Sequence, residues 1–309
     1  MNTLLAPLVV ALAAVSPVFA QEPADEAAEQ PGLHDAWNRI LAANVRDERV
    51  DYLAIRDRHH AELAAYLSEL AKVDTDELSR EELEAFQINL YNATMVDAVC
   101  ARFVDGWTVA GADGKYGIFG EKLVRTGGTK ITLDELEKKR ALPTFKDARL
   151  HAAFVCAARS CPPLLDEAYV GERIDAQLDA KMRAFVNDPT RNDLSGNPIR
   201  ISKLFEWYQG DFGGSANAVL GYLGKWTDKN VRGRKIEHLE YSWVLNIAQP
   251  EGDWVVLKRA LRTSNGALRK DEVVQVEATD GDEVTVRLPG GHHTVSVKKS
   301  DTRPYRAPR

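Results

Sequence analysis

Two thiols, an imidazole and a guanidinium fall within eleven residues of this chain: His151, Cys156, Arg159 and Cys161, the last followed by Pro162-Pro163. Side chains of these types can carry out thiol chemistry, bind a metal ion or close a disulfide. A reactive thiol needs its pKa lowered by a helix N-terminus, a histidine or a cation. His151 is the nearest base to Cys156, but a spacing of five defeats the simple arrangement. On a strand the two side chains point to opposite faces, and on a helix they stand roughly 140° apart. A nucleophilic Cys156 therefore requires either a bend in the chain or a base from elsewhere, such as His238. Otherwise Cys156 packs with Leu150, Ala152 and Phe154 as a small apolar residue on a buried strand over 150–156. Arg159, between the cysteines, is placed to lower a thiol pKa or bind a carboxylate, unless it is a solvated loop cation.

Cys161 precedes a proline and is expected in an extended loop. Cys156 and Cys161 can form a disulfide if the intervening Ala-Ala-Arg-Ser turns back and brings the α-carbons within about 7 Å. A structural zinc site needs four ligands, usually paired two to four residues apart. Here the spacing is wrong and a fourth ligand is missing. No metal and no cofactor is expected.

A second group of polar residues lies on the helix expected over 81–104, opened by the Ser79/Glu82 capping pattern. Asn89, Tyr91 and Asn92 belong to it. Asn92 shares a stripe with Ile88, Met95 and Val99, so its amide falls on an apolar face and must find partners there. It either faces a cleft, orienting a substrate or the Cys156 region, or bonds a neighbouring loop backbone. Cys100, on the same helix, reads as core.

The remaining elements have to position these groups. Helical periodicity covers much of 33–73 and 174–186, with shorter helices after Thr132 and Ser202 and over 216–226. A hairpin is expected around Gly127-Gly128, and a strand over 236–245. The glycine-rich stretch 106–120 lacks the spacing of a phosphate-binding loop. After Gln249-Pro250 the character changes to four short Val-rich runs separated by Gly-containing turns, which read as a small β-barrel module over 251–309.

The N-terminus predicts a secretory signal peptide over 1–20, with an apolar run from Leu4 to Val15, a Ser16-Pro17 break and Ala20 at the cut. An acidic leader over 21–32 follows. The expected location is therefore outside the cytoplasm, periplasmic or extracellular, where neighbouring cysteines tend to pair. Three cysteines leave at least one thiol unpaired within the chain. With 44% hydrophobic and 28% charged residues and a net charge of -6, the composition is that of a globular protein. It lacks the basic balance of a nucleic-acid binder. No internal apolar run reaches the ~18 residues of a membrane span.

Six segments in order resemble a known family, the domain of unknown function 547. They are Val50-Asp51-Tyr52, Ile88 to Ala93, Leu133 to Glu137, His151 to Leu164, Leu204 to Tyr208 with Asp211-Phe212, and Tyr241 to Asn246. The resemblance spans about residues 33–248. The last segment departs from the family pattern, with Ser242 and Val244 in the usual Asp and Ser places. The resemblance implies a fold unit and names no activity.

The fold expected is α+β, a helix-rich domain with a small sheet, followed by a small all-β, SH3-like barrel module. The working function is a thiol-dependent hydrolase or acyl transferase. Cys156 or Cys161 would be the nucleophile, His151 the base and Asn92 the orienting amide, with Asn89, Tyr91 and Arg159 binding substrate. The alternative is a non-catalytic envelope protein that binds a small molecule, peptide or glycan, with a structural Cys156–Cys161 disulfide.

Overall fold

The structure is a computed structural model that describes residues 32–111, 113–263 and 266–308. The expected signal peptide, and the leader up to Pro31, lie outside the described residues.

The long helix Arg80–Arg102 organises the molecule. Its N-terminus is closed by a full capping box: Glu82 N–H donates to Ser79 Oγ (3.2 Å), and Ser79 N–H donates to Glu82 Oε2 (2.8 Å). Caps of this kind stabilise a helix by about 0.5–2 kcal/mol. Phe86, Ile88, Leu90, Met95, Val96 and Val99 are buried along it, each side chain contributing about 1.5–3 kcal/mol of apolar burial. Helix His60–Leu70 packs beside it and helix Asp35–Asn44 packs on His60–Leu70, adding Trp37, Ile40, Leu63 and Leu70 to the same core. A second core gathers Met182 and Phe185 of helix Ile174–Asn187 with Phe205, Phe212 and Leu220 from the following segments.

The small sheet expected in the helical part is instead three separate strand pairs. Val45–Arg46 meets Arg49–Val50, Val124–Thr126 meets Thr129–Ile131, and Ile199–Ile201 runs parallel to Ile236–His238. The strand expected over 150–156 is a short helix, Leu150–Ala153. The strand expected to run to 245 stops at His238.

The C-terminal segment forms a five-stranded antiparallel sheet. From edge to edge the order is Thr294–Lys298, Glu283–Arg287, Val273–Asp280, Trp254–Leu257 and Thr302–Pro304. The four Val-rich runs are all present, joined by a fifth strand, Thr302–Pro304. The expected barrel is corrected to an open sheet: among the described residues no pairing joins the two edge strands. A register shift between Val276 and Ala278 bends the long central strand, as bulges do. Trp254, Val256, Val273 and Tyr305 belong to the main helical core, while Leu257, Val274, Val284, Val286 and Val297 form a third core of their own. By its internal contacts Leu33–Arg309 is one unit.

Candidate functional site

The helix Leu150–Ala153 ends because Phe154 turns extended, with φ -77° and ψ 118°. Ala157 then takes a left-handed conformation, with φ 62°. The first departure bends the chain between His151 and Cys156 and the second turns it just after Cys156, and His151 and Cys156 line one cavity of about 730 Å³. That size lies within the range of small-molecule sites. The same cavity is lined by Cys161, Tyr91, Glu137, Tyr208 and Tyr241.

The long helix sets the bend in place. Asn92 donates from Nδ2 to the Ala153 carbonyl (3.0 Å) and accepts from Val155 N–H at Oδ1 (2.9 Å). Its amide is spent on loop backbone and does not line the cavity. Asn89 clamps Tyr169 in the same way, through the Tyr169 carbonyl (2.7 Å) and N–H (3.1 Å). Tyr91 differs from both, lining the cavity and packing on Phe154 at 4.9 Å between ring centroids.

Two buried cations hold the Cys161 loop from behind. Arg191 donates to the carbonyls of Cys161 (2.9 Å) and Arg159 (3.3 Å), and Lys181 Nζ donates to that of Pro163. Burial lowers the Lys181 pKa to about 7, against the weaker opposing pull of Cys161. Arg159 itself turns away from the thiols. Its guanidinium donates to the Pro308 carbonyl (2.6 Å) and lines a separate surface pocket. Ser242, in the place the family usually fills with an acid, lies beside it in that pocket. The departure at Ser242 therefore removes no group from the thiol cavity.

All three cysteines are free, so the disulfide of the alternative reading is not formed and Cys156 and Cys161 stand as a hydrogen-bonded thiol pair. Cys161 Sγ accepts from Cys156 N–H (3.0 Å), and Cys156 Sγ lies 3.3 Å from Tyr241 Oη. Burial pushes the Cys156 thiol up. Hydrogen bonds from the Cys161 thiol, the Tyr241 hydroxyl and the Ala158 N–H outweigh it, so the pKa falls below its ordinary value. The Cys161 pKa moves far upward, through burial and through donating to Cys156. Cys156 is thus the sulfur favoured as thiolate. Cys100, fully buried in the core, is held strongly protonated by desolvation.

His151 Nε2 lies 2.8 Å from Asp211 Oδ2, and its ring packs on Tyr208 at 4.1 Å and Phe212 at 5.4 Å. Burial lowers its pKa, only partly offset by Asp211. A carboxylate accepts only, so the neutral ring donates from Nε2 and keeps its lone pair on Nδ1. No hydrogen bond joins the imidazole to Cys156 among the described residues. His238 does not line the cavity.

Glu137 is the residue the spacing analysis missed. It sits in a π-helical stretch, Glu135–Ala141, a geometry frequent at functional sites, and is buried against the cavity. Tyr208 Oη donates to its Oε1 (3.1 Å), and Tyr91 also bonds it. Desolvation outweighs these bonds and raises its pKa. Asp211, Tyr208 and Tyr241 were likewise legible only as marks of the family, with no chemistry attached. One wall of the cavity is aromatic: Trp207, half exposed, stacks on Trp243 at 5.9 Å and meets Tyr241 at 4.8 Å.

Residues 75–186 match the profile of a family described as "Protein of unknown function, DUF547". The likeness covers this stretch, a little over a third of the chain. The DUF547 stretch contains Glu137, His151, Cys156 and Cys161, whereas Trp207, Tyr208, Asp211 and Tyr241 come from beyond it. Among curated proteins and among solved structures, none matches the chain.

Proposed function

We propose that the protein is a thiol-dependent hydrolase or acyl transferase with Cys156 as nucleophile. The observation that carries this reading is the sulfur of Cys156, supplied with three hydrogen-bond donors in a cavity shared with the His151–Asp211 pair. One further feature supports it. The cavity pairs a thiol with lowered pKa and a carboxyl, Glu137, with raised pKa. Such a divergence assigns nucleophile and acid in one site.

The proposed sequence uses each group once. Its own donors lower the Cys156 pKa, so the reading invokes no ion pair with His151. The thiolate attacks an acyl carbonyl and forms a thioester. Glu137, whose pKa burial raises, gives the leaving group its proton. His151, oriented by Asp211, takes a proton from water through Nδ1 as the thioester is hydrolysed. The aromatic wall supports a substrate with a flat apolar or sugar face, as in a peptide or glycan. Export to the periplasm or beyond, argued from residues 1–20, belongs to the proposal and requires that the mature chain begin at Gln21.

The test is alkylation of the native protein by iodoacetamide across pH, with peptide mapping, followed by intact mass after exposure to an activated acyl ester. Cys156 should alkylate first, with a midpoint below the ~8.5 of an ordinary thiol, and should carry the acyl group. The replacement Cys156→Ser should abolish both. A Cys156 that stays unmodified until the protein is denatured would sink the proposal.

A further inference from the structure

A second cleft lies apart from the thiol cavity, between helix His60–Leu70, the long helix and the hairpin Val124–Thr126/Thr129–Ile131, with a volume of about 380 Å³. Its floor is apolar, with Leu67, Leu90, Ala98 and Leu123 lining it. Its rim is cationic: Arg102, Lys122, Arg125 and Lys130 line it against a single carboxylate, Asp97. In a chain of net charge -6, this concentration of positive charge is not a consequence of composition.

The hairpin makes the point sharper. Arg125 and Lys130 are directly opposite each other across the two strands, and both are exposed. Like charges facing across an antiparallel pair destabilise it, where an opposite-charge pair would stabilise it. The core-facing positions, Val124, Thr126 and Ile131, explain why the hairpin docks, but not why its outer face pairs two cations. Among the described residues neither Arg125, Lys130 nor Lys122 has an ion-pair partner. Arg102 is engaged with Glu121 (2.5 Å), and Asp97 with His60 (3.5 Å). Three cations thus remain without a close ion pair around an apolar floor, Arg125 and Lys122 feeling only the more distant carboxylates of Asp97 and Glu135.

We infer that this cleft binds a soluble amphiphilic anion, with a phosphate or carboxylate head on Arg125, Lys130 and Lys122 and a short hydrocarbon chain over Leu67, Leu90 and Leu123. An anionic head relieves the cross-strand repulsion, and the chain covers the floor. The site is independent of the thiol chemistry.

The test is calorimetric titration of the full chain with octyl phosphate below its micellar concentration, with inorganic phosphate and octyl trimethylammonium as separate arms. Octyl phosphate should bind, with inorganic phosphate at least about tenfold weaker and the cation not binding. The double replacement Arg125→Gln/Lys130→Gln should weaken binding about tenfold or more, equivalent to ~1.4 kcal/mol. Both side chains are exposed, so the fold should survive; an unchanged far-UV spectrum and melting temperature verify that, and the single variants replace the double one if it does not hold. No binding of octyl phosphate, equal binding of inorganic phosphate, equal binding of the cation, or binding indifferent to these replacements each overturns the inference. So does binding only to anionic vesicles and not to the monomeric amphiphile.

Discussion

At Cys156 two effects oppose each other. Burial disfavours a thiolate by several kcal/mol, and each hydrogen bond to a charged group returns about 1.5–3 kcal/mol. Three donors, from Cys161, Tyr241 and Ala158, are enough to turn the balance toward the charged form. The same comparison at Glu137 goes the other way, because the tyrosines bonded to it do not offset its desolvation. The two residues should therefore fail differently. Glu137→Gln removes the proton donor, and should slow acylation by amide substrates about 10²–10⁴-fold. It should leave acylation by an activated ester, whose leaving group needs no proton, nearly untouched. His151→Ala should instead leave acylation intact and slow release of the acyl group, so that the thioester accumulates on Cys156. Rapid-quench mass spectrometry with one amide and one activated ester reads both. A Glu137→Gln variant equally impaired on the two substrates would deny it the role of acid.

The elements matter because they break regularity where chemistry is placed. A spacing of five excludes His151 and Cys156 from one face of a helix or strand. The chain meets that constraint by being neither: a four-residue helix followed by an extended Phe154 carries both residues to one cavity, and a left-handed Ala157 turns the chain after Cys156. The sequence did show that Asn92 was a polar group on an apolar stripe needing partners. Its target, the backbone at 153–155, was not legible, because it lies about sixty positions away. Asp211, Tyr208 and Tyr241 were hidden for the same reason. Spacing arguments reach one or two turns of an element, and these residues meet His151, Glu137 and Cys156 across 60 to 85 positions. Asn92→Ala should expose the dependence. It leaves a buried carbonyl and a buried N–H unpaired, each costing about 1–3 kcal/mol, so urea unfolding should show a loss of about 2–6 kcal/mol. Cys156 should at the same time lose its depressed alkylation midpoint as the loop loosens. A variant as stable as the parent would show that the clamp contributes nothing.

At the scale of the whole molecule, the C-terminal sheet looks like an appendage in sequence, since the composition and periodicity both change near residue 250. The fifth strand was invisible there because Thr302-Arg303-Pro304 has no apolar alternation and ends in a proline, which an edge strand tolerates. The structure ties the sheet to the helical body through buried charge as well as shared apolar core. Arg56 forks onto Asp57 (2.7 and 3.0 Å), reaches Glu272 (3.3 Å) and donates to the Val273 carbonyl (2.9 Å). Arg269 closes on Glu272 from the other side (2.6 and 2.9 Å) and donates to the Phe103 carbonyl at the end of the long helix (3.3 Å). The loop before the edge strand joins in: Gly290 N–H donates to Asp57 Oδ1 (3.2 Å), and a Cβ on Gly291 would stand 2.2 Å from the Asp57 carbonyl oxygen. Removing Arg56 leaves the buried Asp57 carboxylate without its counter-charge while Glu272 keeps Arg269, at a cost of about 3–5 kcal/mol. Arg56→Met should therefore lower stability by that amount and Gly291→Ala should destabilise as well, through steric conflict with the Asp57 backbone. The parent should unfold in a single transition, with tryptophan fluorescence, which reports Trp37 in the helical core and Trp254 in the sheet, coinciding with far-UV circular dichroism. Two resolved transitions, or an Arg56→Met variant that shifts only one of them, would mean that the sheet folds as a domain of its own and that the network merely decorates the contact.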